Sequence, residues 1–534
     1  MGLLSNETRL AALLCASLAL AVYLLWRIKE ARSKRARLPP GPKGYPIIGN
    51  YYDLPAEGSH LQYSEWKKSY GDLIFLNILG RNILVCNSRE TVMDILHKRG
   101  ANSADRPRMP ILERWCGFGW AILTWKYDGE IHDRRKMIFQ SMNKDTMPHY
   151  EQYMHKEALD LARRILATPE RFLSLIDRMT GTTIIRIAYG HAVYTEHDQW
   201  IGLVNNVNGS FREASKAPGT HIAEVLPLLT LFPAWIFGRK EAKAFKACYD
   251  SMNDMVNLPY NMAKKQVERQ EAAPSMTRWL IEQNMTPDGS IANEHMIKEI
   301  TAESFSAGAD VTEAMIKVFI LAMLVNPDIQ KKAQAYIDAV VADGRMPTFS
   351  DRPLLPYIDG ILKEIMRWKV VSPIALPHQL TNDEEYNGYF IPAGTMVVPN
   401  SYECARDESI FPEPEEFRPE RFTDGVKLFT NIVEPRDFAF GYGRRVCPGR
   451  QIADSTVWIT IVTMLYVFDI RKATSPDGQP IEPDLVLENS TITSFPKPFV
   501  CDFIPRSAQH IEILNATYDF VLPSATTKPV PNAV

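Results

Sequence analysis

The run FGYGRRVCPG at residues 440–449 places one cysteine in a glycine-bounded, arginine-flanked loop directly before an apolar helical segment. A thiolate stays deprotonated where positive charge and the N–H groups of a helix N-terminus lie nearby. Arg444, Arg445 and the helix expected to begin after Pro448 are placed to supply both. We therefore interpret Cys447 as an iron ligand. The alternative is a buried, inert cysteine in a basic loop.

This run matches the pattern F-x-x-G-x-R-x-C-x-G at every fixed position, so the chain resembles the cytochrome P450 haem-thiolate monooxygenases. The resemblance implies a haem b cofactor with Cys447 as the proximal iron ligand. It also implies that Phe440 packs beside the sulfur and that Gly443 and Gly449 let the backbone pass close to the porphyrin. Arg445 is expected to pair with a haem propionate.

The composition disfavours several classes of protein. The chain has 534 residues and a formal net charge of -3, whereas nucleic-acid-binding proteins normally carry a basic excess. Its seven cysteines are widely spread and form no C-x-x-C pair. This distribution predicts reduced thiols and disfavours a structural zinc site.

Residues 10–26 carry no charge and are rich in Ala, Leu and Val, a length at the low end for a membrane-spanning helix. Six basic residues and one acidic residue follow within residues 27–37, and this excess predicts that the C-terminal side faces the cytosol. We expect a lumenal segment at residues 1–9 and a single-pass anchor in the endoplasmic reticulum membrane. A signal peptide would carry its positive charges before the apolar stretch.

The remaining chain divides into three parts. Residues 27–46 are basic and then proline-rich, which predicts an extended linker. Residues 47–505 are expected to form the catalytic domain, and residues 506–534 a flexible tail. Helix-rich sequence with small, separate β-prone runs predicts a mainly α (α+β) fold, a large helical haem-binding domain with small β-sheets.

Three local elements are predicted within that domain. A hairpin is expected from residues 73–79 and 83–85, and a second β region from residues 389–391 and 395–398, with a turn at residues 392–394. The longest helix is expected to begin at the N-cap Asn293 and to end at Val325, before an Asn-Pro pair.

Within this long helix, Gly308 costs about 1 kcal/mol relative to alanine, which suggests a purpose. The resemblance makes this segment the distal side of the haem, where a loosened turn admits dioxygen and Asp310 relays protons. The family usually has threonine directly after the acid, whereas this chain has Val311 and then Thr312. Thr312 can replace that hydroxyl only if the helix bulges at Gly308. We otherwise expect a water chain or a substrate hydroxyl to act together with Asp310.

Glu303 lies seven residues before Asp310 and hence on nearly the same helix face. It is expected either to approach the substrate cavity, where it would pair with a cationic substrate, or to pair with a basic residue of another helix. The second interpretation is favoured, because charged residues are usually paired or solvated.

Glu364 and Arg367 fit the E-x-x-R pair of the family, and one helical turn brings their side chains together. The same string recurs at Glu415 and Arg418, so the motif is informative only through its position. By resemblance, Glu364, Arg367 and Arg421 form a buried charge network that holds the haem-binding core.

Two further haem contacts are implied. The W-x-x-x-R pattern of the family aligns with Ile131 through Arg135, so the arginine is kept as a propionate partner and the tryptophan is lost. His378 lies where the family often has a propionate-binding histidine or arginine. A surface histidine is the alternative for this position.

By resemblance, the chain inserts one oxygen atom from O2 into an apolar small molecule and takes electrons from a membrane NADPH reductase docked on the Cys447 side. The anchor and the domain length are similar to the microsomal, fungal-type branch of secondary metabolism. Terpenoid and aromatic or indole substrates both fit the cavity loops expected at residues 109–120, 211–237 and 371–376. Two alternatives are an isomerase or dehydratase that needs no reductase and a non-catalytic membrane protein that binds haem or lipid.

Overall fold

The computed structural model of the protein describes residues 37–55, 57–193, 198–214, 227–233, 235, 239–341, 344–488 and 493–521. These residues are mainly helical, with short strands in small sheets, which confirms the predicted fold class. The anchor predicted at residues 10–26 lies outside them. Within the described ranges, no helix combines the length and the apolar character needed to cross a membrane.

The elements follow the chain in this order. The α-helices are α1 (Ser59–Tyr70), α2 (Arg89–Val92), α3 (Gly129–Gln140), α4 (Met147–Ala167), α5 (Phe172–Tyr189), α6 (Gln199–Ala214), α7 (Arg239–Glu268), α8 (Met276–Gln283), α9 (Glu294–Val325), α10 (Pro327–Val340), α11 (Pro356–Trp368), α12 (Ser401–Cys404), α13 (Arg436–Ala439), α14 (Arg450–Val467) and α15 (Ala508–Val521). The strands are β1 (Leu73–Ile78), β2 (Arg81–Cys86), β3 (His378–Gln379), β4 (Glu384–Tyr386), β5 (Tyr389–Ile391), β6 (Met396–Pro399), β7 (Phe468–Lys472), β8 (Leu487–Glu488), β9 (Phe495–Pro496) and β10 (Cys501–Pro505). Short π-helical segments lie at Met93–Lys98 and Ile111–Trp115, and 3-10 turns at Pro169–Arg171, Pro227–Leu231, Phe349–Leu354, Pro419–Arg421 and Gly443–Arg445.

Helix α9 runs through the centre of the domain. It follows the cap residue Asn293 and ends before Asn326, as predicted, since Pro327 cannot continue it. Residues 314–324 of this helix are all buried and pack in the main hydrophobic core with α4, α11 and α14. Its first half packs in a second core with α5, α7 and α8. Helix α9 therefore joins the two cores.

The strands confirm the predicted hairpin and the second β region, but the two strands of that region do not pair with each other. β1 and β2 pair as an antiparallel hairpin, with Leu73 opposite Cys86. β5 instead pairs with β4, while β6 pairs in parallel with β2 and antiparallel with β3. The turn around Gly394, which has a φ of 77°, thus leads from one sheet to another. Local β propensity does not identify the partner strand, because pairing depends on distant segments.

The C-terminal prediction is wrong for part of the tail. Ala508–Val521 form helix α15. Leu514 is buried in the main core, and Tyr518 and Val521 pack against it. These three residues lie on one face of helix α15, and this helical spacing of apolar residues is visible in the sequence before the proline-containing end of the chain. Residues 522–534 lie outside the described part.

The predicted charge network surrounds a fully buried ion pair. Nε and Nη2 of Arg367 donate to the two carboxylate oxygens of Glu364, both at 2.7 Å. Nε of Arg421 lies 3.4 Å from the same carboxylate. Arg367 also donates to the carbonyl oxygens of Pro414 and Glu416. The pair therefore holds the segment that precedes the cysteine loop against helix α11.

We expect Arg367→Leu to lower the free energy of unfolding by about 3–5 kcal/mol, because it leaves the buried Glu364 carboxylate without its closest cation and its two shortest side-chain hydrogen bonds. The matched control is Arg418→Leu in the second E-x-x-R string. Its side chain is 42% exposed, and we expect a loss below about 1 kcal/mol. Chemical denaturation of both variants measures the two losses, and equal losses would contradict this account.

Candidate active site

A cavity of about 370 Å³ lies where helix α9, the cysteine loop and the loop before α3 meet. Most of its lining is apolar and comes from both hydrophobic cores. The apolar part includes Phe118, Ala121, Ile122, Ile184, Met255 and Ile452. Polar and charged side chains enter the cavity at a few points. A largely apolar space with a few convergent polar groups suits a small organic ligand.

Cys447 lies in the cavity wall, close to the start of helix α14. Its backbone N–H donates to the carbonyl oxygen of Phe440 at 2.8 Å, which closes the loop. Gly443 has a φ of 54°, and a Cβ there would collide with the carbonyl oxygen of Leu96. Helix α14 begins at Arg450 with Gly449 as its cap, close to the position expected from the sequence. The loop therefore fixes the thiol at the cavity by backbone geometry.

The N–H at the start of helix α14 lowers the pKa of this thiol, as predicted, but its surroundings differ from the prediction in two other respects. Burial raises the pKa of Cys447, and the Gly449 N–H and the charges of Arg135 and Arg450 offset that rise only in part. The main positive charges that act on the thiol are those of Arg135 and Arg450, and not those of the predicted Arg444 and Arg445. Burial therefore acts against the groups that favour the thiolate. A metal ion bound to the sulfur would itself displace the proton.

Arg106, Arg135, His378 and Arg445 converge on the cavity, and all four are buried. Each bonds to backbone carbonyl oxygens: Arg106 to Leu376 and Pro377, Arg135 to Val446, His378 to Ser103, and Arg445 to Ala104, Ile122 and Trp125. His378 is 2% exposed, so the alternative of a surface histidine is wrong. Burial and the neighbouring Arg106 hold its pKa well below the usual range, which leaves the ring neutral.

The three arginines form a group of like charges in the protein interior. Burial and mutual repulsion lower the pKa of Arg106 to about 9, and burial and Arg135 lower that of Arg445 to about 10. Nε of Arg106 is buried without a hydrogen-bond partner. Asp105 and Glu303 offset only part of this positive charge, and buried charge that is left unbalanced is costly. The arrangement therefore favours a ligand with more than one anionic group.

Arg106 has no sequence signal of its own, because an isolated arginine in a loop carries no spacing pattern. Its place in the site emerges only from its proximity to Arg135 and Arg445. Asn208 on helix α6 was missed for the same reason. A single asparagine within a helical stretch gives no indication that it will meet the acid of another helix.

Helix α9 faces the cavity with residues 303–312 and is continuous there. The bulge at Gly308, which would bring Thr312 to the position of Val311, is not formed. Gly308 serves helix packing instead, since a Cβ there would lie 2.6 Å from the side chain of Ile184 on α5. Val311 and Thr312 both line the cavity.

Asp310 is bound by a side chain of helix α6. Nδ2 of Asn208 donates to Oδ1 of Asp310 and to the carbonyl oxygen of Ser306, both at 3.0 Å. The Ser306 hydroxyl donates to Oδ1 of Asn208 at 2.6 Å. Asn208 is buried and lines the cavity. This polar cluster links helix α6 to the segment of α9 that faces the cavity.

Glu303 also lines the cavity. Its carboxylate accepts hydrogen bonds from the backbone N–H groups of Ile122 at 2.8 Å and Leu123 at 3.1 Å. Burial raises the pKa of Glu303 to about 7. The favoured prediction of a basic partner on another helix is wrong. Arg134, a nearby cation on helix α3, pairs instead with Glu299 of helix α9 and with Glu130 of α3. The prediction that Glu303 approaches the cavity is confirmed.

The cavity loops agree with the predictions in part. Residues 109–120 contribute Phe118 and Trp120, and residues 371–376 contribute Ser372, Ala375 and Leu376. The range 211–237 is only partly described, and its described residues do not line the cavity. Helices α5 and α7 supply lining that the sequence did not reveal, since their cavity-facing residues look like ordinary core positions.

Comparison with known proteins gives a consistent result over most of the chain. The family model for Cytochrome P450 matches residues 39–494. A cytochrome P450 monooxygenase of Armillaria gallica is 36% identical over 93% of this chain and 99% of its own length. A second, from Coprinopsis cinerea, is 35% identical over 94% and 95% of the two chains. Tryptamine 4-monooxygenase of Psilocybe cyanescens is 34% identical over 90% and 95%.

Proposed function

The chain belongs to the cytochrome P450 monooxygenase family, and from this premise we propose that it inserts one oxygen atom from O2 into a small, largely apolar molecule with NADPH-derived electrons from a reductase. Members of the family bind haem b through a cysteine thiolate. The observation that carries the proposal is one apolar cavity shared by the Cys447 thiol, a buried arginine cluster and the acid of helix α9.

The residues of the cavity fit haem b. Cys447 would hold the iron, and the two propionates would supply the negative charge that Arg106, Arg135 and Arg445 lack. Gly449 is proposed to let the backbone pass close to the porphyrin, although a Cβ there would meet only Sγ of Cys447, at an ordinary contact distance of 3.9 Å. When bound, haem supplies the binding and reductive activation of O2.

Asp310 is the residue to which we assign proton delivery. Asn208 holds its carboxyl in the cavity wall through a bond of 3.0 Å. Val311 offers no hydroxyl, and the continuous helix does not bring Thr312 to its position. A water chain or a substrate hydroxyl is therefore assigned the role of the usual threonine, and the apolar lining keeps other water away from the reacting atoms.

The substrate class rests on the lining of the cavity and on the relatives. Apolar and aromatic side chains suit a terpenoid or an aromatic or indole compound of fungal secondary metabolism. One relative is named tryptamine 4-monooxygenase, which supports the aromatic and indole part of this range.

Residues 10–26 are proposed to anchor the enzyme in the endoplasmic reticulum membrane, with the catalytic domain in the cytosol and the reductase on the Cys447 side. The support is the basic excess that follows this apolar stretch. Alkaline extraction of membranes that carry the full chain tests the anchor, because release of the protein into the soluble fraction would contradict it.

A second candidate is a haem-thiolate isomerase or dehydratase that needs no reductase. Val311 favours it, because an enzyme that does not activate O2 needs no hydroxyl for proton delivery at this position.

The two functions differ in what they consume. We expect the purified enzyme, supplied with reductase, NADPH and O2 labelled with the heavy oxygen isotope, to form a product that carries one labelled atom. Mass spectrometry of product from candidate terpenoids and indoles measures the label. Unlabelled product formed equally well without NADPH would establish the alternative. In the same assay, Val311→Thr should change the ratio of product formed to NADPH consumed.

The fit of haem to the arginine cluster is tested by Arg106→Leu. We expect haem to transfer to an excess of a haem acceptor about 10-fold faster or more from this variant, since a charge-assisted hydrogen bond contributes about 1.5–3 kcal/mol. Absorption spectra over time measure the transfer. Arg444→Leu is the matched control, because this exposed arginine of the cysteine loop should not affect haem retention. Equal rates for both variants and the unmodified protein would contradict the assignment.

A further inference from the structure

Glu303 places a carboxylate in the wall of an otherwise largely apolar cavity. The side chain retains accessible surface although the protein surrounds it, so that surface faces the cavity. Ala307, one turn further along helix α9, is also accessible and also lines the cavity, although this helix lies at the centre of the domain. Helix α9 therefore presents an acid, followed by a small side chain, to the bound molecule.

The hydrogen bonds of Glu303 leave part of its carboxylate unsatisfied. An ionised carboxylate offers about four acceptor positions, and the N–H groups of Ile122 and Leu123 occupy two. The charges of Arg134 and Arg135 favour the ionised form of Glu303, but neither side chain contacts it among the described residues: Arg134 pairs with Glu299 at 2.5 Å, and Arg135 donates to the carbonyl oxygen of Val446 at 2.7 Å. Within the described residues, Glu303 forms no ion pair, although burial penalises its charge.

We propose that Glu303 binds the protonated amine of the substrate, whose remaining body occupies the apolar cavity. This inference rests on the proposed function and narrows it to amine-bearing substrates. An ammonium group would donate hydrogen bonds to the free acceptor positions and balance the buried charge, and such charge-assisted bonds are the strong ones. The apolar lining would then hold the hydrocarbon or aromatic part.

The spacing along helix α9 limits the size of such a substrate. Ala307 and Asp310 lie four and seven residues beyond Glu303, which corresponds to about 6 and 10 Å along the helix axis. Ala307 and Gly308 leave the intervening surface free of bulky side chains. A molecule anchored by its amine at Glu303 therefore reaches the segment around Asp310 with atoms about 6–10 Å from its nitrogen.

A purely structural role of Glu303 is the competing explanation. Its two backbone contacts fix the loop at Ile122, whose carbonyl oxygen also accepts from Arg445 at 3.2 Å. Loss of the carboxylate could thus disturb the cavity for every ligand. A test must therefore separate an effect on charged ligands from an effect on all ligands.

The test compares two ligands of equal shape that differ in charge. One is a 2-arylethyl-dimethylammonium ion and the other is the neutral analogue in which isopropyl replaces the dimethylammonium group. Their dissociation constants for the haem-loaded, full-length enzyme are measured by equilibrium dialysis, which does not depend on the reductase or on turnover. We expect the unmodified enzyme to bind the cation about 10-fold tighter or more than the neutral analogue.

Glu303→Gln is expected to abolish this preference while the affinity for the neutral analogue stays within about threefold. Glu303→Asp keeps the charge and should retain part of the preference for the cation. It is the variant to measure if Glu303→Gln does not bind haem. Glu294→Gln, at the start of the same helix, is the matched control and should behave as the unmodified enzyme, because Glu294 pairs with Lys264 and lies outside the cavity lining. An unmodified enzyme without preference, or a Glu303→Gln variant that weakens both ligands equally, would overturn the inference. The proposed monooxygenase function would survive either result, because labelled-oxygen incorporation into a neutral substrate tests it separately.

Discussion

The rest of the site depends on an excess of positive charge in the protein interior, which Asp105 and Glu303 offset only in part. Arg106, Arg135 and Arg445 are buried around one cavity and bond to backbone carbonyl oxygens. These bonds orient the guanidinium groups but do not neutralise them, and burial with repulsion lowers the pKa of each. A cofactor with two carboxylates and a metal that accepts a thiolate satisfies both the arginines and Cys447. The excess buried charge therefore lowers the stability of the ligand-free protein, and the bound ligand offsets this cost.

Helix α9 connects this site to the fold. Its buried second half anchors it in the main core, so the cavity-facing residues before it are held on a rigid element. The close approach of α5 at Gly308 fixes the helix against the second core. Two carboxyl groups then enter the cavity from one helix face. Backbone N–H groups bind Glu303, whereas the Asn208 amide binds Asp310, so the two acids have different surroundings and different roles.

The sequence predicts those elements whose bounds and partners are set by residues close together in the chain. The long helix could be placed because a cap residue and a proline mark its ends, and the first hairpin because its strands are adjacent in the chain. The pairing of β6 could not be predicted, because its partner β2 lies more than 300 residues away in the sequence. Among site residues, Cys447, Arg445 and Glu364 carry spacing patterns, whereas Arg106 and Asn208 gain their roles only through tertiary contacts. The sequence shows the arginines near Cys447 but not the burial that raises the pKa of its thiol.

The central claim is that the sulfur of Cys447 binds haem iron in this cavity. The most direct measurement is the absorption spectrum of the reduced protein with carbon monoxide, for the unmodified chain and for Cys447→Ala, with Cys404→Ala as a control at a buried cysteine outside the cavity lining. The account predicts a thiolate-type spectrum for the unmodified chain and for the control, and its complete loss in Cys447→Ala. An unchanged thiolate-type spectrum in Cys447→Ala would contradict it.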